Sequence, residues 1–231
     1  MSNITLYTAP TSNGYKVSIA LEELSLDYTP IHLHFDQKQQ KTEEFRKLNP
    51  NSRIPVIVDH EHGDLVLAES GAILLYLAER EKKLMPLERK EFHVATQWIM
   101  FQMSAIGPMM GQAMFFQRIA APKGIVQNYA TDRYIKESRR LLEILDQELK
   151  SKEFICKQYS MVDIAIFPWV RAHQWANVQI SDLPNLSRWL EQIQNRDAVK
   201  KGLSIPIERK WNYSEHELNV AMNKNAQLYD A

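Results

Sequence analysis

Cysteine is nearly missing from this chain: one residue, Cys156, among 231. A lone thiol cannot close an internal disulfide, so the fold must stand without covalent staples. An excess of one charge is missing too, since 28 Lys and Arg offset 28 Asp and Glu. Such a balance gives no long-range field to draw in nucleic acid or an anionic membrane, and neither partner is expected. No run reaches the ~20 apolar residues that span a bilayer. The seven histidines form neither an H-E-x-x-H motif nor a clustered spacing, and no G-x-x-x-x-G-K-[ST] or G-x-G-x-x-G run occurs. Metal and nucleotide chemistry are therefore unsupported, and no metal is expected. The first residues show no apolar signal stretch or Arg-rich transit pattern, so the expected compartment is the cytoplasm.

What is present is ordinary globular composition, 45% hydrophobic and 24% charged, in a length that predicts two packed domains. Ile4 to Tyr7 is β-favouring and runs into the turn formers Ala9-Pro10-Thr11-Ser12-Asn13-Gly14. From Val17, apolar residues recur at Ala20, Leu21 and Leu24, the spacing of one helical face beginning near Asn13 or Gly14. Ile31, Leu33 and Phe35 alternate as a half-buried strand does, and Glu43 to Leu48 fits a short helix. Pro55 to Asp59 and Leu65 to Leu67, around a His62-Gly63-Asp64 turn, predict a hairpin with Pro55 at a strand's entry. Ser70 opens an amphipathic helix carrying Ile73, Leu74 and Leu77. The first half thus reads βαβ, a short helix, then ββα.

After Leu84-Met85-Pro86 no alternating pattern returns, which places a domain boundary near 85 and predicts domains 1–85 and 86–231. Helix spacing covers 88–104 with a break near Gly107-Pro108, then 109–120 stopped before Pro122, then 126–152. Ser160-Met161-Val162-Asp163 has the form of a capping motif ahead of an all-apolar, hence central, helix. Pro184 suits another first turn, and a polar tail follows whose role after about residue 205 is open.

Four local patterns bear on chemistry: Ala9 to Val17, Asn49 to Ile57, Glu69 to Ile73, and Ser160 to Ala165. From the residues alone, Ser70 reads as a helix N-cap beside a solvated Glu69, or as an anion site where helix amides meet a hydroxyl. Ile54-Pro55 reads as trans on frequency, Thr11 and Asn13 as a turn capping a helix, and Arg133 as part of a solvated face. Met109, Met110, Met114, Phe115 and Phe116 cluster after Gly107-Pro108 as core or as a soft pocket wall. Cys156 reads as a small buried hydrophobe ahead of the capping motif, not a nucleophile.

Taken together these patterns resemble the cytosolic glutathione S-transferases over nearly the whole chain. Within them they resemble the bacterial nu-class enzymes and the related globular domain of the fungal prion-forming nitrogen regulator. The resemblance implies a thioredoxin-like α/β N-terminal domain followed by an all-α C-terminal domain, assembled as a homodimer. It implies glutathione as substrate and ligand, with Glu69 and Ser70 on its γ-glutamyl end. A cis Ile54-Pro55 presents the Ile54 backbone to its cysteinyl part, as in strand addition. Thr11 and Asn13 are implied as the catalytic donors to its sulfur, Gln39 or Gln40 as a contact to its glycyl end, and Arg133 as a contact across the dimer. Met110, Met114 and Phe115 are expected to face a hydrophobic co-substrate.

Redox members of this fold carry a cysteine in the loop before the first helix, and none stands there in this chain. The working thiolate is therefore expected to be the ligand's, attacking a small electrophile or a disulfide. The disulfide route would need two bound glutathiones, or one joined by a disulfide, per site. The alternative expectation is a non-catalytic regulatory or binding protein of the same fold.

Overall fold

In the computed structural model, which describes residues 3–208, two strands flank a helix to make a βαβ unit. These are β1 (Ile4–Thr8), α1 (Ser12–Glu23) and β2 (Tyr28–His32), with β1 and β2 parallel. Then come α2 (Glu43–Leu48), β3 (Val56–Asp59), β4 (Leu65–Ala68) and α3 (Ser70–Glu81). The sheet order is β2-β1-β3-β4, with β3 antiparallel to both neighbours, the thioredoxin-like arrangement. β2 ends at His32, short of the expected Phe35. β1 itself ends at Thr8, whose carbonyl takes the Leu33 N–H at 2.9 Å, and no further ladder remains to pair with. Pro30 is tolerated within β2 because that strand is an edge.

Everything after Ala68 is helix, turn or loop among the described residues. α4 (Arg89–Phe101) passes through a π-helical turn, Gln102–Ile106, into α5 (Gly107–Phe115). The expected break at Gly107-Pro108 is thus a wide turn within a continuous helical path. The widening falls just before Pro108, which sits in the first turn of α5, where a missing N–H costs least. A second π turn, Phe116–Ala120, and a 3₁₀ turn containing Pro122 replace the expected stop. α6 (Asn128–Glu148), α7 (Met161–Arg171), α8 (Pro184–Gln194) and α9 (Asp197–Leu203) complete the order. Sequence spacing missed α9, which has only seven residues. The expectation for the tail beyond about residue 205 falls mostly on residues 209–231, outside the described ones. Among the described residues no helix is long and apolar enough to cross a membrane.

α1 is the element on which both halves close: it packs against α3 of the sheet layer and against α7 and α9 of the helical part. At α9 the approach is so close that a Cβ on Gly202 would sit 2.6 Å from the Ile19 Cα, and Ser18 Oγ donates to the Gly202 carbonyl at 2.7 Å. α7 forms the centre of the helical core, with Met161 to Phe167 fully buried. Its capping box is complete: Val162 N–H donates to Ser160 Oγ, and Ser160 N–H donates to Asp163 Oδ2 at 3.0 Å. Asp163 Oδ1 also accepts from Ile155 N–H at 3.1 Å and from the Trp189 indole at 2.9 Å. Burial pushes the Asp163 carboxyl up to about 6, against the pull of these hydrogen bonds.

Removing that carboxylate strands four buried donors at once: the Ile155 and Ser160 N–H groups, the Ser160 hydroxyl and the Trp189 indole. Asp163→Ala is expected to lower the unfolding free energy by about 3–5 kcal/mol, measured by urea denaturation. A loss below about 1 kcal/mol would show that the cap is not what holds α7.

Candidate functional site

The turn before α1 is built to hold the helix start at one place. Thr11 is the N-cap, its Oγ1 accepting the Gly14 N–H at 3.2 Å. Gly14 is required there, because a Cβ would lie 2.2 Å from the Ala9 carbonyl oxygen. Ser12 Oγ donates to the Pro168 carbonyl at 3.0 Å, and the Trp169 indole donates to Asn13 Oδ1 at 3.0 Å. An indole N–H can only donate, so Asn13 must turn its oxygen toward Trp169. The Asn13 amide NH₂ is left as the edge free to face away.

Asn13 lines a cleft of about 810 Å³ between the sheet-bearing half and the helical half. Its second wall is the loop before β3, where Asn49 braces the turn: its Nδ2 donates to the Arg53 carbonyl at 2.7 Å and its Oδ1 accepts the Asn51 N–H at 3.0 Å. Arg53, Ile54 and Pro55 line the cleft, and the Ile54-Pro55 peptide is cis. The third wall is the start of α3, where Glu69, Ser70, Gly71 and Ala72 present a helix N-terminus. Glu69, not Ser70, is the N-cap residue; its φ of 68° is rare for a side-chain-bearing residue, and it makes no side-chain cap bond. Ser70 is the first helical residue and is buried.

Beneath Ser70 lies Lys16, fully enclosed at 1% exposure. Its Nζ donates to Gln102 Oε1 at 2.6 Å, to Ser70 Oγ at 3.3 Å and to Met103 Sδ at 3.7 Å. Burial pulls the ammonium down from its ordinary 10.5 to about 7, while the charge of Glu69 pulls it upward. Sequence reading missed Lys16. The available signal was its place three residues after Asn13, on the same face of a helix otherwise buried, where a solvated lysine has no room.

Of the expected residues, the fold brings Asn13, Ile54, Pro55, Glu69 and Ser70 to this one cleft. Thr11 holds the helix start two residues away and is not among the lining residues. Gln39 is elsewhere, its Oε1 accepting the His34 N–H and its Nε2 donating to Gln37 within its own loop. Arg133 is exposed on α6, outside the cleft. The residues expected to face a co-substrate do not line this cleft: Met110 is fully buried in the core, Met114 packs on that core, and Phe115 is exposed away from the cleft. Met100, Met103, Pro108, Gly111 and Gln112 stand there instead. The π turn explains the shift, since one extra residue rotates all later positions by about 100° relative to an unbroken helix.

Cys156 lies in the loop before α7, away from the cleft, and burial pushes its thiol up to about 11. A second hollow of about 410 Å³ beside α6 is lined by Arg139, but that guanidinium is already held by Asp182 through two bonds of 2.7 Å. Among the described residues no group of three or more His, Cys, Asp or Glu is placed to hold a metal ion.

Residues 2–79 match the family Glutathione S-transferase, N-terminal domain, and residues 110–197 match Glutathione S-transferase, C-terminal domain. The chain is 40% identical over 205 residues to the disulfide-bond oxidoreductase YfcG of Escherichia coli, covering 87% of this chain and 94% of that protein. A glutathione transferase from Burkholderia graminis, crystallised with two glutathione molecules bound per subunit, superposes with a TM-score of 0.83 at 45% identity, over 89% of each chain. One from Pseudomonas putida, with one glutathione disulfide bound per subunit, superposes at 0.84 with 42% identity, over 89% of this chain and 92% of that one.

The buried Lys16 carries a pH signature. Below about pH 7 it is charged both folded and unfolded, and the folded chain bears the whole burial cost; above 10.5 it is neutral in both and the cost vanishes. Lys16→Met is therefore expected to stabilise the protein at neutral pH, by a margin that shrinks steadily as pH rises from about 7 to 10.5. Urea titrations of both proteins across that range are the check, and a margin independent of pH would contradict the assignment.

Proposed function

Because the chain belongs to the glutathione S-transferase family, we propose that it binds glutathione in the cleft and works through the ligand's own thiolate. The observation that carries this reading is the meeting of Asn13, Ile54-Pro55, Glu69 and Ser70 in one cleft, with the chain's only cysteine elsewhere. Its sequence patterns resemble the nu-class type, and we propose that assignment together with a cytoplasmic setting.

In this reading the α3 N-terminus and Ser70 take the γ-glutamyl carboxylate, and Glu69 takes the ammonium beside it. The Ile54 backbone pairs with the cysteinyl unit as an added strand. Its sulfur then lies at the start of α1, where the Asn13 NH₂, the Thr11 hydroxyl and the helix amides favour the thiolate. The glycyl carboxylate falls to Arg53, which lines the same wall, rather than to Gln39. Met100, Met103 and Pro108 offer the co-substrate an apolar surface.

One thiolate serves two reactions. Attack on an electrophilic carbon forms a thioether and expels the leaving group with its electron pair. Attack on a disulfide sulfur forms a new disulfide and releases the other thiol as thiolate, which takes a proton from water. A second glutathione, or a bound glutathione disulfide, completes that cycle, as the two relatives' bound ligands illustrate. Arg133, remote from its own cleft, serves a site only by crossing the interface of a homodimer.

Turnover of a model electrophile and of a mixed glutathione disulfide tests the reading; binding without either turnover would make the protein a ligand-binding module. Ser70→Ala is expected to weaken glutathione binding by about 1.5–3 kcal/mol in titration calorimetry, with little change in folding. Cys156→Ser is expected to keep both activities, and loss of disulfide reduction in that folded, glutathione-binding variant would overturn the ligand-thiolate mechanism.

A further inference from the structure

Lys16 is the buried charged group that the proposed chemistry leaves unused. Its three bonded partners, Ser70 Oγ, Gln102 Oε1 and Met103 Sδ, are all neutral, so the ammonium is enclosed without a bonded anion. Such burial is costly unless something compensates it. The other charged groups lining the cleft are Glu69, whose field reaches Lys16, and Arg53; the π turn packed against it presents only Gln102 and Met103. Gln102 is itself fully buried, with its Nε2 unpartnered, so its amide has no second anchor. The geometry is that of a half-built ion site, a cation placed one hydroxyl behind a helix N-terminus and awaiting an anion.

We propose that Lys16 is a positioning and charge-balancing residue for the γ-glutamyl carboxylate, acting through Ser70, and that ligand binding draws a proton from solvent onto Nζ at those sites where it is neutral. This rests on the glutathione reading of the cleft. Ser70 Oγ accepts from Lys16 Nζ, which leaves its own hydroxyl hydrogen to turn from Met103 Sδ, 3.8 Å away, to the incoming carboxylate. The chain of ammonium, hydroxyl and carboxylate then strengthens along its length. With the free ammonium near 7, a fraction of sites is neutral at physiological pH, and the arriving negative charge raises Lys16 toward its ordinary value. The only covalent change is the N–H bond formed with a proton taken from water or buffer.

The test uses S-methylglutathione, which keeps both charged groups of the γ-glutamyl end but has no thiol proton to confuse the count. Calorimetric titrations at about pH 8, in buffers of different ionisation enthalpy, should show uptake of roughly 0.8 proton per site by the wild type. Lys16→Met should bind roughly 10- to 100-fold more weakly with little uptake. Lys16→Arg, charged at every pH tested, should retain more affinity and also lose the uptake. Wild-type affinity should fall as pH rises above about 7, and that of Lys16→Arg should stay flatter. Tight wild-type binding without uptake, or equal uptake in a folded Lys16 variant, overturns the role of Lys16 while leaving the cleft assignment intact. Failure of folded wild-type protein to bind S-methylglutathione overturns the cleft assignment and this proposal together.

Discussion

The burial of α1 between the sheet and the helical half is the constraint on which the rest of this structure depends. Its first turn is tied to α7 by Ser12 to the Pro168 carbonyl and by Trp169 to Asn13, and its middle is locked to α9 through Ser18 and Gly202. A helix enclosed on so many sides can expose functional groups only at its end or through its interior. Asn13 uses the end and Lys16 the interior, and both reach the same cleft. The interface between the halves therefore builds the site, rather than either half separately.

Polar groups in such a place oppose stability, and the chain tolerates them because its apolar core is large and continuous. Residues of α1, α3 and α7 belong to one cluster with the inner faces of α6 and α8. Asp163 and Lys16 show two outcomes of burial. The carboxylate has four donors in the capping box and its neighbours, so it acts as a structural bolt. The ammonium has only neutral partners in the free chain, so its burial gives little back to folding. On the proposal made here, that cost is offset by the anion the cleft binds.

The same division governs sulfur. A protein thiol in the loop before α1 would be activated by the helix amides; here that loop offers donors and no thiol, while Cys156 is held away with its proton firmly retained. In the proposed reading, donor positions and sulfur are thus supplied by different molecules. In that reading the cleft accepts one ligand thiolate and a range of partners for it, since the apolar wall from α4 and α5 makes no directional demand.

Sequence by itself determined the order of elements as far as α8, the hairpin after Pro55, the capping box at Ser160 and the loop, strand and helix starts that carry Asn13, Ile54 and Glu69-Ser70. These depend on turn residues, caps and short-range periodicity, which act within a few residues of chain. Only tertiary structure decided where β2 ended, because a strand lasts as long as its neighbour does. It alone decided which methionines face the cleft, because a π turn shifts helical phase without a local signature. It alone turned Lys16 from one more lysine into an enclosed ammonium. Its enclosure is made by Ser70, Gln102 and Met103, more than fifty residues away, and no local pattern encodes how distant elements close over a side chain.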